Sequence, residues 1–328
     1  MSIDKNKDLV VDAVITWVDG NDEKWQKKIN QYANRKIDWT NKKDTIRYNS
    51  IDEIDIAIKS ILKNAPFIRT IYLVTDAQKP KSFEKLKEIA SSHQINLELV
   101  DHTVIFRDFE DCLPSFNSCS IITMLYRIPS LSEHFLIFND DTFLMKPSTI
   151  SDYFIDGVPV IRGKWSKYYE DQHLRTLYYK TLSFVGVKKD LSFPGYKKAQ
   201  QKSAKLLGMK KYLRRDHTPV SLRKSTLENY FSEREILHNN VKFRFRNESQ
   251  FIISSLSTHL EILNNTCKIK SNFQLSYFQS YKSICLVKLK LFLYDVSKSK
   301  LFMCFQNLEL AEGKTLDYIL NWIDKRLK

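Results

Sequence analysis

Asp140 and Asp141 directly follow an apolar run, residues 135–138, with Asn139 between. Two neighbouring carboxylates at such a junction can hold a divalent cation against a diphosphate, and oxygen donors suit Mg²⁺ or Mn²⁺. An ordinary turn uses the same residue types. Residues 16–22, TWVDGND, form a second junction of this kind and place Thr16, Trp17, Asp19, Gly20 and Asp22 where a nucleobase, a ribose or a metal could be gripped. Trp17 could equally serve the core. Three apolar runs in all close on a carboxylate: WVD at Asp19, VTD at Asp76 and FND at Asp140.

The complementary groups are basic. Arg47 stands just ahead of a capped apolar stretch, and its fork of donors matches phosphate geometry. His217, in RRDHTP, sits among cations that disfavour a protonated imidazole and so suit a general base. Arg244 and Arg246 alternate with aromatics in KFRFR; a strand there would put both guanidinium groups on one face, able to clamp a phosphoryl group. Each alone is as compatible with a solvated surface.

Elements must bring these groups together. The β-branched run at 9–18 ends in a turn cluster and reads as a strand. Ser50 and Glu53 make a capping-box pattern, after which Ile51, Ile54, Ile58, Ile61 and Leu62 recur at helical spacing until Pro66. Strands follow at 70–75, 95–100 and 135–138, alternating with helices at 83–90 and 117–128. Such alternation implies a mainly parallel α/β sheet flanked by helices, a Rossmann-like core, because parallel neighbours need crossover connections. Ligands of open α/β sheets sit outside the carboxyl ends of the strands, so the three terminal acids are expected to converge on one cleft.

The chain of 328 residues, 43% hydrophobic and 12% aromatic with few Gly and Pro, can bury a large core and contains no visible repeats. Its formal charge of +14 is uneven: residues 1–160 hold about 20 Lys/Arg against 24 Asp/Glu, residues 161–328 about 32 against 14. Expected units are a ligand-binding α/β core at 1–160, a basic and mostly helical lid or second lobe at 161–215, and a completing unit at 216–328 with the His and Arg motifs and a final amphipathic helix. The basic stretch 162–224 lacks the interleaved aromatics of single-strand or RNA modules, so no nucleic-acid partner is expected. Five irregularly spaced cysteines fit a reducing compartment. The polar first residues lead straight into a strand, and the apolar stretches at 251–263 and 284–296 fall short of a bilayer span, so a cytoplasmic protein with at most peripheral contact at the inner membrane face is expected.

Four blocks in order resemble the Stealth proteins, which include bacterial capsule and exopolysaccharide phosphotransferases and the lysosomal-enzyme N-acetylglucosamine-1-phosphotransferase. The blocks are DAVITWVDGND at 12–22; a long region from Arg47 through NAPFIRTIYLVTDAQKP at 64–80 and LPSFNS at 113–118 to RIPSLSEHFLIFNDDTFLMKP at 127–147; DHTP at 216–219; and FRFRNESQF at 243–251. The resemblance implies a glycosyltransferase-A-like core and transfer of a hexose-1-phosphate or N-acetylhexosamine-1-phosphate from a UDP-sugar to a hydroxyl of a capsular or exopolysaccharide acceptor, free or lipid-linked, with release of UMP. By position it implies that Asp140 and Asp141 are the metal and phosphate acids, with Mg²⁺ or Mn²⁺ as cofactor. His217 matches the catalytic base and Arg246 the phosphate-facing Arg, while Thr16, Trp17, Asp19, Gly20, Asp22, Arg47, Asn117 and Asn139 match the donor pocket. This chain departs from the pattern at Ile122 and Tyr126, where relatives carry a Glu and a His. A metal-dependent glycosyltransferase releasing UDP is the alternative with the same fold and donor class.

Overall fold

The run VDAVIT becomes the central strand of the molecule because it is buried on both sides. Val11, Ala13 and Ile15 enter one core and Val14 the other, as a period of two requires. The computed structural model describes residues 9–45, 48, 53–171, 195–271 and 274–328. Strands in chain order are β1 (Val11–Thr16), β2 (Ile68–Thr75), β3 (Asn96–Asp101), β4 (His134–Phe138), β5 (Thr142–Leu144), β6 (Phe154–Ile155) and β7 (Val158–Arg162). They continue as β8 (Lys164–Ser166), β9 (Tyr212–Arg214), β10 (Val220–Arg223), β11 (Lys268–Lys270), β12 (Leu275–Phe278) and β13 (Phe302–Phe305).

The main sheet has the order β10-β4-β1-β2-β3, parallel throughout except for β10, which runs antiparallel to β4. The chain steps from β1 to β2 and β3 on one side, then returns to the other side of β1 as β4. That reversal opens a crevice between the carboxyl ends of β1 and β4, where ligands of such sheets bind. Immediately after β4 the chain turns through Asp140 and Asp141 into β5, which joins a second sheet, β12-β13-β5. Phe305 N donates to Asp141 O at 3.1 Å, so the acidic turn is pinned where the two sheets meet.

Helices cover both faces. Helix Glu53–Asn64 buries Ile54, Ile58, Ile61 and Leu62 on the β1 face, the spacing its sequence requires; Ser50 of the expected capping box lies outside the described residues. On the other face the helix expected at 117–128 is shorter, Ser118–Met124, capped by Asn117 and followed by a 3-10 turn at Leu125–Arg127. Ile122 and Tyr126 belong to this packing: Ile122 lies against the core and the Tyr126 ring stacks on Phe231 at 5.8 Å, burial pushing its phenol up to about 12. A third core gathers helix Ile284–Val296, β13 and the final helix Gly313–Leu327.

The basic stretch is not mainly helical among its described residues. β8 and β9 pair antiparallel there beside helix Tyr196–Leu206, while residues 172–194 lie outside the described part. Gly163 permits the close pairing, since a Cβ at that position would lie 2.7 Å from Arg214 O. Lys205 of the helix pairs with Glu170, and Lys202 Nζ donates to Glu248 O at 3.3 Å. No described helix is long and apolar enough to cross a membrane.

One polar group interrupts the central strand. Asp12, 0% exposed, accepts from Arg69 Nε at 2.9 Å and from Ser132 N at 2.7 Å. Removing Arg69 leaves a buried carboxylate short of its main partner. Arg69→Ala should therefore lower unfolding free energy by about 2 kcal/mol in a denaturant titration, whereas substitution of exposed Lys79, paired with exposed Glu84, should change it by under about 0.5 kcal/mol.

Candidate active site

The crevice between the ends of β1 and β4 is a cleft of about 270 Å³, lined by residues from every strand tip that faces it: Thr16 at the end of β1 and Trp17 after it, Asp76 after β2, His102 after β3 and Asp140 after β4. Ser118 and Arg246 close it from the other side of the chain. Its aromatic floor is a cluster of its own, in which Trp25 meets Tyr48 at 5.3 Å and Phe116 at 5.8 Å.

Asp140 is half-buried, and burial together with the neighbouring charge of Asp141 pushes its carboxyl up to about 7. An oxygen donor in that condition fits a cation, whose charge would offset both effects. Asp141 turns toward the second sheet: its carboxylate accepts from Thr142 Oγ1 at 3.2 Å and from Cys304 Sγ at 3.4 Å. The thiol is held far above its usual range by burial and by Asp141. Asn139 contributes its carbonyl to the turn, accepting from Thr142 N at 3.2 Å. The closest set of three metal-capable side chains among the described residues lies elsewhere, at Asp111, Cys112 and His238, close to Arg234 and Arg244.

The TWVDGND loop divides its labour. Thr16 and Trp17 line the cleft, whereas Asp19, Gly20 and Asp22 shape the loop that presents them. Gln78 ties this loop to the end of β2, accepting from Asp19 N at 2.9 Å and donating to Asp19 O at 3.0 Å and Asp22 Oδ2 at 3.1 Å. Asp22 caps helix Glu23–Tyr32. Burial raises its carboxyl, but hydrogen bonds from Gln78, Lys24 and Trp25 outweigh that and hold it below the ordinary range. Gly20 passes so near Tyr48 that a Cβ would fall 2.1 Å from its carbonyl oxygen. Of the three strand-end acids, Asp76 and Asp140 thus reach the cleft and Asp19, which accepts from Asn21 N at 2.9 Å, does not line it. Arg47 lies outside the described residues.

Arg246 does not come from a strand. Residues 243–246 are a loop, because their carbonyls are taken by groups other than a β-ladder: Asn117 Nδ2 donates to Phe243 O and Phe245 O at 3.0 Å each, and Phe116 N donates to Arg244 O at 2.9 Å. The two guanidinium groups accordingly part. Arg244 turns to the carbonyl of Leu113 at 3.0 Å, and Arg246 Nη2 donates to Ser118 Oγ at 2.8 Å in the cleft. Asn117 itself, 0% exposed, also donates to Gln250 Oε1 at 2.8 Å and accepts from Cys119 N. It therefore positions the Arg246 loop and does not line the cleft.

His217 is half-buried between two rings, stacked on Tyr196 at 4.8 Å and on Tyr277 at 5.7 Å. His217 and both rings lie outside the residues that line the cleft, so the structure does not bring His217 into the site that Asp140 and Arg246 share. The sequence reading missed two contributors, His102 and Ser115. Trp17 Nε1, His102 Nδ1 and Ser115 Oγ are buried on cleft-lining residues with no protein partner, although buried polar atoms are normally bonded. Burial outweighs Asp76 and Asp101 in holding the His102 imidazole below its usual range, so the ring is neutral at neutral pH. The strand-end position of His102 marks it in the same way that it marks Asp76.

These features define a mainly parallel α/β protein with a polar, aromatic-floored ligand cleft at the switch point of its sheet. Residues 10–37 match Stealth protein CR1, conserved region 1, and residues 47–160 match Stealth protein CR2, conserved region 2. Exopolysaccharide phosphotransferase SCO6023 of Streptomyces coelicolor is 40% identical over 147 residues, 45% of this chain and 23% of that protein. Capsular polysaccharide phosphotransferase fcs1 of Haemophilus influenzae is 37% identical over 150 residues, 45% of this chain and 39% of that one. The chain thus spans less than half the length of these relatives, and the segments with His217 and Arg246 lie beyond residues 10–37 and 47–160, the two matched family regions. Among solved structures, the bifunctional glycosyltransferase WbbM overlaps 97% of this chain and 52% of its own with a TM-score of 0.46 and 13% identity. The glycosyltransferase GlyE of Streptococcus pneumoniae overlaps 97% and 62% with a TM-score of 0.45 and 11% identity.

Proposed function

We propose that this chain transfers a hexose-1-phosphate or N-acetylhexosamine-1-phosphate from a UDP-sugar to a hydroxyl of a capsular or exopolysaccharide acceptor. The observation that carries the reading is that Asp140 and Arg246 share one cleft at the switch point, an acid and a guanidinium where a diphosphate needs both. Relatives named as phosphotransferases support the reaction class.

In this reading the diphosphate lies between the strand tips and Arg246, whose guanidinium is aimed by Ser118 and offsets charge on the transferred phosphoryl oxygens. A Mg²⁺ or Mn²⁺ ion held by Asp140 and Asp141 would supply the remaining neutralisation of the diphosphate. Trp17, Ser115 and His102 offer unspent polar atoms to the donor, over an aromatic floor suited to a base or sugar. His217, fixed between Tyr196 and Tyr277, takes the acceptor hydroxyl proton. The hydroxyl oxygen forms a bond to the phosphorus that carries the sugar, and the bond from that phosphorus to the bridging oxygen breaks, its electron pair leaving with UMP. The anomeric bond stays intact.

The released nucleotide tests this directly. Incubation with a panel of UDP-hexoses and UDP-N-acetylhexosamines plus acceptor should yield UMP, read by chromatography. UDP as the product would mean attack at the anomeric carbon and a glycosyltransferase instead.

A further inference from the structure

Helix Ile284–Val296, ICLVKLKLFLYDV, is apolar on both sides, yet among the described residues only one side is covered. Val287, Leu291 and Tyr294 are buried in the third core. On the other side Leu286, Leu289, Phe292, Leu293 and Val296 are 49% to 61% exposed. At 3.6 residues per turn these five fall within an arc of roughly 120° that points away from the buried face. Single exposed apolar residues are ordinary, but a continuous stripe of five with an aromatic at its centre marks a binding surface.

We propose that this stripe docks on an anionic lipid surface. Lys288 and Lys290 lie at the two margins of the arc, their ammonium groups over the rings of Tyr318 at 4.8 Å and Phe278 at 5.3 Å, and exposed Lys282 and Lys298 flank the helix at its ends. Lysines at the edges of an apolar stripe can lay their methylene stems on it and carry their charge to headgroups. The acid nearest the margin, Asp295, is already engaged by Arg326 at 2.7 Å and by Trp322 Nε1 at 3.3 Å. A second copy is the poorer occupant, because an isologous contact would bring the same lysine rows together. With 13 residues the helix is about 20 Å long, enough to lie in the interface and too short to cross it.

The surface also borders the catalytic side. Lys290 Nζ donates to Tyr277 O at 3.4 Å, and the Tyr277 ring stacks on His217. Docking would present His217 close to the membrane plane, where a lipid-borne acceptor is delivered. The docking itself does not depend on the reaction proposed above.

Co-sedimentation of the intact chain with phosphatidylcholine vesicles, with and without phosphatidylglycerol, tests it. Binding should require the anionic lipid and weaken with added salt. Leu289→Asp with Phe292→Asp should reduce vesicle affinity by about tenfold or more, with an unchanged circular dichroism spectrum and melting temperature. Lys282→Gln, Lys288→Gln and Lys298→Gln together should reduce it by roughly tenfold on anionic vesicles only. Absence of vesicle binding would overturn the proposal. So would concentration-dependent dimers in equilibrium sedimentation that the Leu289 and Phe292 substitutions abolish, since the stripe would then be a protein interface.

Discussion

Asp140→Asn should lower transferase turnover by on the order of 100-fold or more while leaving the protein folded, because it removes from the cleft the carboxylate that would hold a cation against the diphosphate and nothing from the core. Its stability effect has the opposite sign. The Asp140 carboxyl is raised from 3.8 to about 7 by burial and by Asp141, so the folded protein binds this proton more tightly than the unfolded chain. Stability from the group is complete below the unfolded value and is lost as pH rises toward 7. In cation-free buffer the Asn variant should melt with the wild type near pH 4 and above it near pH 8. Mg²⁺ at pH 8 should raise the melting temperature of the wild type and leave the variant unmoved. Near-normal turnover in the variant would take Asp140 out of the reaction, and a melting difference independent of pH would refute the account of its environment.

The parts of this site that the sequence discloses are those governed by local rules. A buried strand must end, and polar residues accumulate where it does, so the tips of β1, β2 and β4 are visible as apolar runs closing on Asp19, Asp76 and Asp140. Helical spacing of Ile54, Ile58 and Ile61 likewise fixes the helix that covers the sheet. Long-range hydrogen bonding is what defeats the pattern. KFRFR has the alternation of a strand, yet its carbonyls are satisfied by Asn117 and Phe116, more than a hundred residues earlier in the chain. The same distance hides the role of Asn117, which on sequence looks like a ligand contact and in the fold is a buried tie. β10 is invisible for a related reason: a four-residue strand is recognised as such only by its partner β4. Ser115, away from any strand end, becomes a candidate only when its burial leaves a polar atom unbonded, a property no single position reveals.

The loop that carries Arg246 should be separable into a structural tie and a functional contact. Asn117→Ala removes an N-cap and an amide whose two N–H groups serve three acceptors, inside a network in which Asn117, Ser120, Asn240 and Gln250 are all at least nine-tenths buried. Unpaired buried carbonyls and a lost cap together should cost about 2–4 kcal/mol in denaturant unfolding. Ser118→Ala deletes one partly buried hydroxyl and should change stability by under about 1 kcal/mol, yet it removes a hydrogen bond that aims the Arg246 guanidinium and should lower turnover by about tenfold. Asn117→Asp discriminates further. Asp is as good an N-cap as Asn, so the bond from Cys119 N survives, but a carboxylate cannot donate to Phe243 O, Phe245 O or Gln250 Oε1 and would face three acceptors. The Asp variant should therefore be at least as destabilised as the Ala variant. Wild-type stability for Asn117→Asp would mean that capping alone explains the residue and that the Arg246 loop is held by something else.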